Sequence, residues 1–278
     1  MKENIELARN RDFGDIISDT FVLIRQNFVP LLKSYLVICG LFLVTEIILS
    51  SAVNMNREET SLFTPLGFAE FVFHCINYAA LILTTQAYFA IYKDRGNQTP
   101  GVIEVWGYFK YYFFRVFFAQ ILAIVGLVMG FFVCFLPFVY LSVVFSLIIP
   151  IMVIENGSIE YSFKKAFKII KGNWWFTFGL LLLTSIIIIM VLLVLMVPSF
   201  IIYGSAQWLT GKNMDTTASI IQSVIMNFTQ VLWIVPTASI TLAYYSFTEE
   251  KEGNSLIERI NSFGKKNPGM DQPSSEQY

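Results

Sequence analysis

From Val116 to Ile154 the chain carries no charged residue. One unbroken helix over that stretch would be about 60 Å long, nearly twice the ~30 Å hydrocarbon core of a bilayer. The stretch therefore has to turn, and Gly130 and Pro137 are the available breakers. Two membrane spans joined by a tight turn satisfy this better than any soluble arrangement. Composition agrees: 55% of residues are hydrophobic, 14% are charged and the mean hydropathy is +0.62, whereas a soluble chain is about 25% charged. No alternating strand pattern occurs. Backbone amides in lipid must be satisfied within their own segment, so the expected class is all-α, a polytopic transmembrane helical bundle.

Six spans are predicted, at about residues 30–53, 69–92, 113–133, 135–154, 175–201 and 219–246. The basic residues set their orientation. Six spans with both ends cytoplasmic put 17 of the 19 Lys and Arg inside, leaving only Arg57 and Lys212 outside. Merging the third and fourth spans gives 10 inside and 9 outside. The positive-inside rule selects the six-span reading, a multi-pass protein with N- and C-termini cytoplasmic. The first apolar run starts near Phe28, too far along and too long for a cleavable signal, so the first span serves as its own insertion signal. Residues 1–264 read as a single membrane domain and 265–278 as a polar, disordered cytoplasmic tail.

Each cytoplasmic segment carries a helix signal. Asp12 and Asp15 stand as cap and third residue of the first, with Phe13, Ile16, Ile17, Phe21 and Ile24 at helical spacing. Thr99-Pro100 reads as a cap with proline at the first helical position of the second. Asn156-Gly157-Ser158 opens the third, whose Lys164, Lys168 and Lys171 lie opposite Ile159, Phe163, Ala166 and Ile170. Ser255-Leu-Ile-Glu258 is a capping box for a short helix ending at Gly264. The expected architecture is three hairpins, each preceded by a cytoplasmic interfacial amphipathic helix. An internal echo supports repetition. Phe21-Val-Leu-Ile-Arg25-Gln-Asn27-Phe28 matches Phe167-Lys-Ile-Ile-Lys171-Gly-Asn173-Trp174. In both copies a surface helix is expected to bend into a span, with Asn27 and Asn173 as backbone partners at the bend and Phe28 and Trp174 as interfacial anchors. The basic stripe is expected to attract anionic lipid headgroups, with a membrane protein as a further possible partner.

An ionisable side chain inside a span costs several kcal/mol and is a functional candidate for that reason. Glu46 lies about 10 Å from the outer end of the first span, and His74, the single histidine, lies near the outer end of the second. Both occupy the outer half of neighbouring helices and can pair. Helix packing is the plainer role for such a pair, and a proton relay or ligand contact the sharper one. Ser223, Asn227, Gln230, Thr237 and Thr241 form one face of the sixth span, which Pro236 can kink; His74, Asn77, Thr84 and Tyr88 form one in the second; Ser142, Ser146 and Pro150 one in the fourth. Such faces turn away from lipid and serve packing or a polar cavity. Glu46, His74, Asn77, Asn227 and Gln230 form the candidate intramembrane cluster. Glu155, closing the fourth span, is expected to salt-bridge a lysine of the following helix or a neighbouring basic residue. Gly126-x-x-x-Gly130 is a close-packing motif. Cys39, Cys75 and Cys134 fall in apolar runs without metal-ligand spacing, and one His with one Glu is too few for a zinc site. No phosphate loop, Gly-x-Ser-x-Gly, His-Glu-x-x-His or Cys-x-x-Cys occurs. No cofactor, metal or nucleic acid is expected.

The segment Pro150-Ile-Met-Val-Ile-Glu155, followed by Ala166-Phe-Lys-Ile-Ile-Lys171-Gly-Asn-Trp-Trp175-Phe-Thr-Phe-Gly179, resembles a bacterial membrane family. That family is the membrane domain found beside glycerophosphoryl diester phosphodiesterase domains, together with its stand-alone relatives. Tyr244-Tyr-x-x-x-Glu249 is similar too, and Arg11-Asp-Phe-Gly and Asn27-Phe fit more loosely. The resemblance implies six helices in a bacterial inner membrane. It does not imply phosphodiesterase activity, which belongs to a separate soluble barrel. The expectation is a non-enzymatic membrane protein of scaffold, accessory or lipid-associated type. A small-molecule or lipid transporter with a polar cavity between spans two, four and six is the alternative. An intramembrane enzyme built on Glu46 and His74 has the weakest support, since no nucleophile accompanies them.

Overall fold

The computed structural model describes residues 5–55, 61–210 and 215–252, with side chains except at 198–200, 202–219 and 251–252. The expected helix at 255–264 and the tail at 265–278 lie outside the described residues. The chain forms α1 (Phe13–Met55), α2 (Pro65–Asp94), α3 (Val102–Val133), α4 (Phe135–Phe145), α5 (Ile148–Ile154), α6 (Ile159–Ile170), α7 (Trp174–Thr210), α8 (Asp215–Thr229), a 3₁₀ turn (Gln230–Trp233) and α9 (Ile234–Glu252). No strand occurs among the described residues. Six helical segments are long and apolar enough to cross a membrane: Phe13–Met55, Pro65–Asp94, Val102–Val133, Phe135–Ile154, Trp174–Val197 and Ile220–Glu250. Large apolar side chains such as Leu41, Phe132 and Val194 stand more than two-thirds exposed, as a lipid-facing surface requires.

α2 is the central helix. From Ala79 to Tyr92 every residue except Ile82 is buried, and α1, α3, α5, α9 and the 3₁₀ turn all pack on it. A helix buried on all sides has little amphipathicity, so its polar residues mark its inward contacts.

The third and fourth spans separate at Cys134, in extended conformation (φ −174°, ψ 155°), which ends α3 and opens α4. Gly130 is not the breaker; it stays helical. A Cβ there would lie 3.1 Å from Leu141 and 3.3 Å from the Phe138 nitrogen, and one at Gly126 would lie 3.0 Å from the Phe145 ring. The small-residue motif thus lets α4 approach α3. Pro137, in the first turn of α4, loses no helical bond there. Two other prolines break helices four residues upstream, where the ring excludes the carbonyl of residue i−4. Pro150 follows the break at Ser146-Leu147, and Pro236 follows the 3₁₀ turn containing Leu232.

The first two segments expected at the cytoplasmic face differ from expectation. α1 runs 43 residues without interruption, so the amphipathic start and the span form one helix, and Asn27 and Phe28 lie inside it. α3 is likewise continuous from Val102. It begins two residues beyond the expected start, because Gly101 is the cap and Glu104 accepts from its N–H at 2.8 Å; Thr99-Pro100 stays outside. Only the third segment breaks, between α6 and α7. The matched positions explain the contrast. Gly172 has φ +102°, a conformation open to glycine and strained for other residues; its counterpart in α1 is Gln26, which continues the helix. Gly172→Ala is expected to cost about 1–2 kcal/mol in thermal unfolding. Gly14→Ala, with no atom within 4 Å of the added methyl, is the control; equal midpoints would refute the requirement.

Candidate functional site

Two polar clusters lie at opposite ends of the bundle. Arg11, just before α1, donates its backbone N–H to Ser246 of α9 at 2.9 Å, and Glu155 meets Tyr244 of α9. Glu46 lies 33 residues beyond Phe13 along α1, about 50 Å at the helical rise.

At the Glu155 end the geometry is that of a clamp. Ser158 caps α6 by accepting from the Tyr161 N–H at 3.2 Å. The Glu155 carboxylate accepts from Lys165 Nζ at 2.5 Å, from Tyr161 Oη at 2.7 Å and from Tyr244 Oη. Arg115 of α3 donates to Asn156 Oδ1 at 3.1 Å and to the Gly157 carbonyl at 3.2 Å. The lysine partner follows the sequence reading; Tyr244 and Arg115 were not assigned this role. Burial pushes the Glu155 carboxyl up, but the hydrogen bonds from Lys165, Tyr244 and Tyr161 and the lysine charge outweigh it and hold the group below its ordinary value. A depressed carboxyl contributes stability that is present above its unfolded value, about 4.3, and is lost as pH falls through the folded value. Glu155→Gln is therefore expected to flatten the acid limb of a stability–pH profile below about pH 4. An unchanged acid limb would count against the clamp.

The echoed segments occupy different environments. Asn27 is buried, donates to the Leu23 carbonyl at 3.0 Å and accepts from Tyr88 Oη of α2 at 2.9 Å. It joins two helices and sits at no bend. Asn173 donates to the Ile169 carbonyl at 3.3 Å, and its own carbonyl accepts the Thr177 N–H at the start of α7. Both asparagines thus bond the carbonyl four residues back, but only Asn173 stands at a helix start. Lys171 is exposed and ends α6. Phe28 is half exposed. Trp174 packs inward, its ring stacked on Phe178 and Tyr140, while Trp175 faces out.

The second cluster gathers residues from four elements. Glu46 of α1 is 2% exposed. Its Oε1 meets His74 Nδ1 at 2.7 Å and accepts from Gln230 Nε2 at 2.5 Å; its Oε2 accepts from Asn77 Nδ2. Asn77 Nδ2 also reaches Gln230 Oε1 at 2.9 Å. Gln230 Nε2 approaches Asn227 Oδ1 at 3.4 Å, and Asn227 donates to Ser50 Oγ at 2.9 Å and to the Ser223 carbonyl at 2.8 Å. Asn54 closes the row by donating to Ser223 Oγ at 2.9 Å. All five residues of the candidate intramembrane cluster therefore meet.

Local structure explains how. Pro236 unwinds the chain into the 3₁₀ turn, which turns Gln230 toward α2; Tyr78 of α2 meets Trp233 of that turn edge to face at 5.7 Å. A 3₁₀ stretch within a helix is a common mark of a functional or strained position. The same unwinding divides the polar face of the sixth span. Thr241 Oγ1 donates to Gln86 Oε1 at 3.0 Å, a partner the sequence did not disclose, and Thr237 bonds the Trp233 carbonyl at the end of the 3₁₀ turn. In the fourth span Ser142 and Ser146 bond the carbonyls of Val139 and Val143 and contribute nothing to the cluster.

The Glu46 carboxyl has no lysine or arginine partner among the described residues. His74, half exposed, separates it from a pocket of about 390 Å³ between the end of α1 and the start of α2, lined in part by Val53, Leu62, Glu70 and Phe71. Among the described residues no three His, Cys, Asp or Glu form a group arranged to hold a metal ion. Chemically the cluster can hold a proton or face a cation.

Fold and cluster together describe a helical membrane protein with six potential spans and a buried carboxylate–histidine pair near one end. No protein-family model, no curated protein and no solved structure matches the chain.

Proposed function

We propose that this chain is a non-enzymatic, lipid-associated accessory protein of the bacterial inner membrane. Both termini lie in the cytoplasm, and three hairpins present their basic segments to the inner leaflet. The exposed face of α6 carries this reading. Lys164, Phe167, Lys168 and Lys171 are exposed there, while Ser162, Ala166, Ile169 and Ile170 are buried against the bundle. Basic residues with an aromatic on one free face suit anionic headgroups, at about 1 kcal/mol per basic residue near the surface. The family resemblance around residues 150–179 fits the same assignment.

The test is lipid retention by the full chain purified in mild detergent. Replacing Lys164, Lys168 and Lys171 together by Gln is expected to lower retained anionic lipid several-fold, about 1 kcal/mol being a factor near five per charge. Equal retention rejects lipid association through this face.

A small-molecule transporter is the second reading, and the meeting of the second- and sixth-span polar faces at Glu46 favours it. It requires water to reach those faces. Cysteines placed at Asn77, Asn227 and Gln230 that react from neither side of the membrane would eliminate it.

A further inference from the structure

The amide orientations in the Glu46 cluster are fixed from one end. Asn227 Nδ2 donates to the Ser223 carbonyl at 2.8 Å. A backbone carbonyl only accepts, so the Asn227 amide cannot be reversed. Its Oδ1 is then the atom that Gln230 Nε2 approaches at 3.4 Å. That placement of Nε2 leaves Gln230 Oε1 toward Asn77, where it accepts from Asn77 Nδ2 at 2.9 Å. The other Asn77 amide hydrogen goes to Glu46 Oε2. Both donors of Asn77 are thereby spent inside the cluster, and its Oδ1 has to find a donor elsewhere. None of these steps depends on the charge carried by Glu46 or His74.

Asn77 Oδ1 is buried and has no hydrogen-bond partner among the described residues. The hydroxyl of Tyr35, a buried residue of α1, is in the same position. It faces the Asn77 amide across the α1–α2 seam, in a geometry that makes no hydrogen bond. Two orphaned polar groups thus lie side by side, one an acceptor and the other both donor and acceptor. Leaving them unpaired is costly, and within a bilayer no lipid chain can supply a partner. Protein interiors meet this need with an ordered water that makes about three hydrogen bonds to such groups. The Cys39 thiol, one turn along α1 and close enough to interact with the Tyr35 hydroxyl, is a weak third partner.

We propose that the α1–α2 seam binds one internal water, which donates to Asn77 Oδ1 and accepts from Tyr35 Oη. This water extends the Glu46 cluster away from the pocket at His74, toward a residue eleven positions nearer the start of α1. The cluster then has an exchangeable, proton-bearing member on its buried side. The site goes beyond the accessory reading and is independent of the α6 face, so either can fail alone.

The experiment is a structure of the full chain in lipid nanodiscs at a resolution that shows ordered water. It is determined once in sodium chloride and once with sodium replaced by N-methylglucamine. One density peak within hydrogen-bond distance of both Tyr35 Oη and Asn77 Oδ1 is expected in both media. In Tyr35→Phe the peak should be lost, while Asn77 keeps its contacts with Gln230 and Glu46. A direct Tyr35–Asn77 hydrogen bond, or two ordered side chains with no peak between them, would overturn the proposal. A peak seen only with sodium would also overturn it, in favour of a bound cation. So would a peak at full strength in Tyr35→Phe. The parent structure decides the first three of these outcomes whatever the stability of the variant.

Discussion

Glu46→Ala is expected to lose on the order of 3 kcal/mol in unfolding titrations of the full chain. Three donors converge on this carboxylate from three residues, His74, Asn77 and Gln230. Asn77 and Gln230 are buried, so water cannot replace the lost acceptor. A typical hydrogen bond between membrane helices contributes only about 0.6 kcal/mol. A buried donor left unsatisfied costs more, about 1–3 kcal/mol, and two such donors dominate the sum. Glu46→Gln is no rescue, because its amide nitrogen turns a donor toward donors. Glu46→Asp keeps the charge but withdraws it by one methylene, and should fall between. If Glu46→Ala unfolds with the parent, the cluster contributes nothing to the fold and its interpretation as a structural core of the site fails.

Gly67→Ala is the second large effect, expected at about 2 kcal/mol. A methyl at Gly67 would sit 2.2 Å from the Ser61 carbonyl oxygen and 2.9 Å from its carbon. These are backbone atoms and cannot swing aside as a side-chain tip can. The same carbonyl accepts from the Thr64 N–H at 3.0 Å and from Thr64 Oγ1 at 2.7 Å, and Thr64 Oγ1 in turn accepts from the Gly67 N–H at 3.3 Å. Displacing it breaks the turn and the cap of α2 together. Ser61 and Leu62 also line the pocket, so the substitution should distort its wall as well as lower the melting temperature. Gly40→Ala, in open space on α1, provides the comparison and should lose nothing. Indistinguishable melting of the two variants would contradict the close approach.

The cluster was legible in the sequence because a bilayer makes polarity expensive. Glu46 and His74 stand out among apolar neighbours, and helical spacing puts Asn77, Asn227 and Gln230 on inward faces. What the spacing does not encode is where a face stops. Pro236 separates Gln230 from Thr241 by changing the helix type, so one apparent stripe serves two partners. Gln86 escaped notice because it lies in a part of α2 buried all round, where no polar side marks direction. The echoed segments misled for a related reason. Eight matched residues predict the same bend twice, but the backbone at that point is decided by one of them, glycine at 172 against glutamine at 26. In the sequence Arg11 counts as a positive charge and as part of the looser Arg11-Asp-Phe-Gly match. Its guanidinium is in fact buried, bonded to the carbonyls of Leu7 and Glu6 and paired with Asp19 at 2.8 Å. It folds the residues before α1 back onto the bundle, a tertiary role that charge counting cannot see.

The uninterrupted course of α1 has a mechanical meaning. Its start is held through Arg11 and Asp19, and its far part carries Glu46. The helix spans about 65 Å from end to end and is continuous between those two attachments, with Gly40 and the missing N–H at Pro30 its points of least stiffness. A strut of this kind turns as one piece. A rotation imposed where Glu46 meets His74 is carried along this helix toward the end beside Ser246. α7 cannot transmit in this way to α6, because Gly172 disconnects them. The first span is therefore the one helix that carries both attachments, Arg11–Asp19 at its start and Glu46 in its far part.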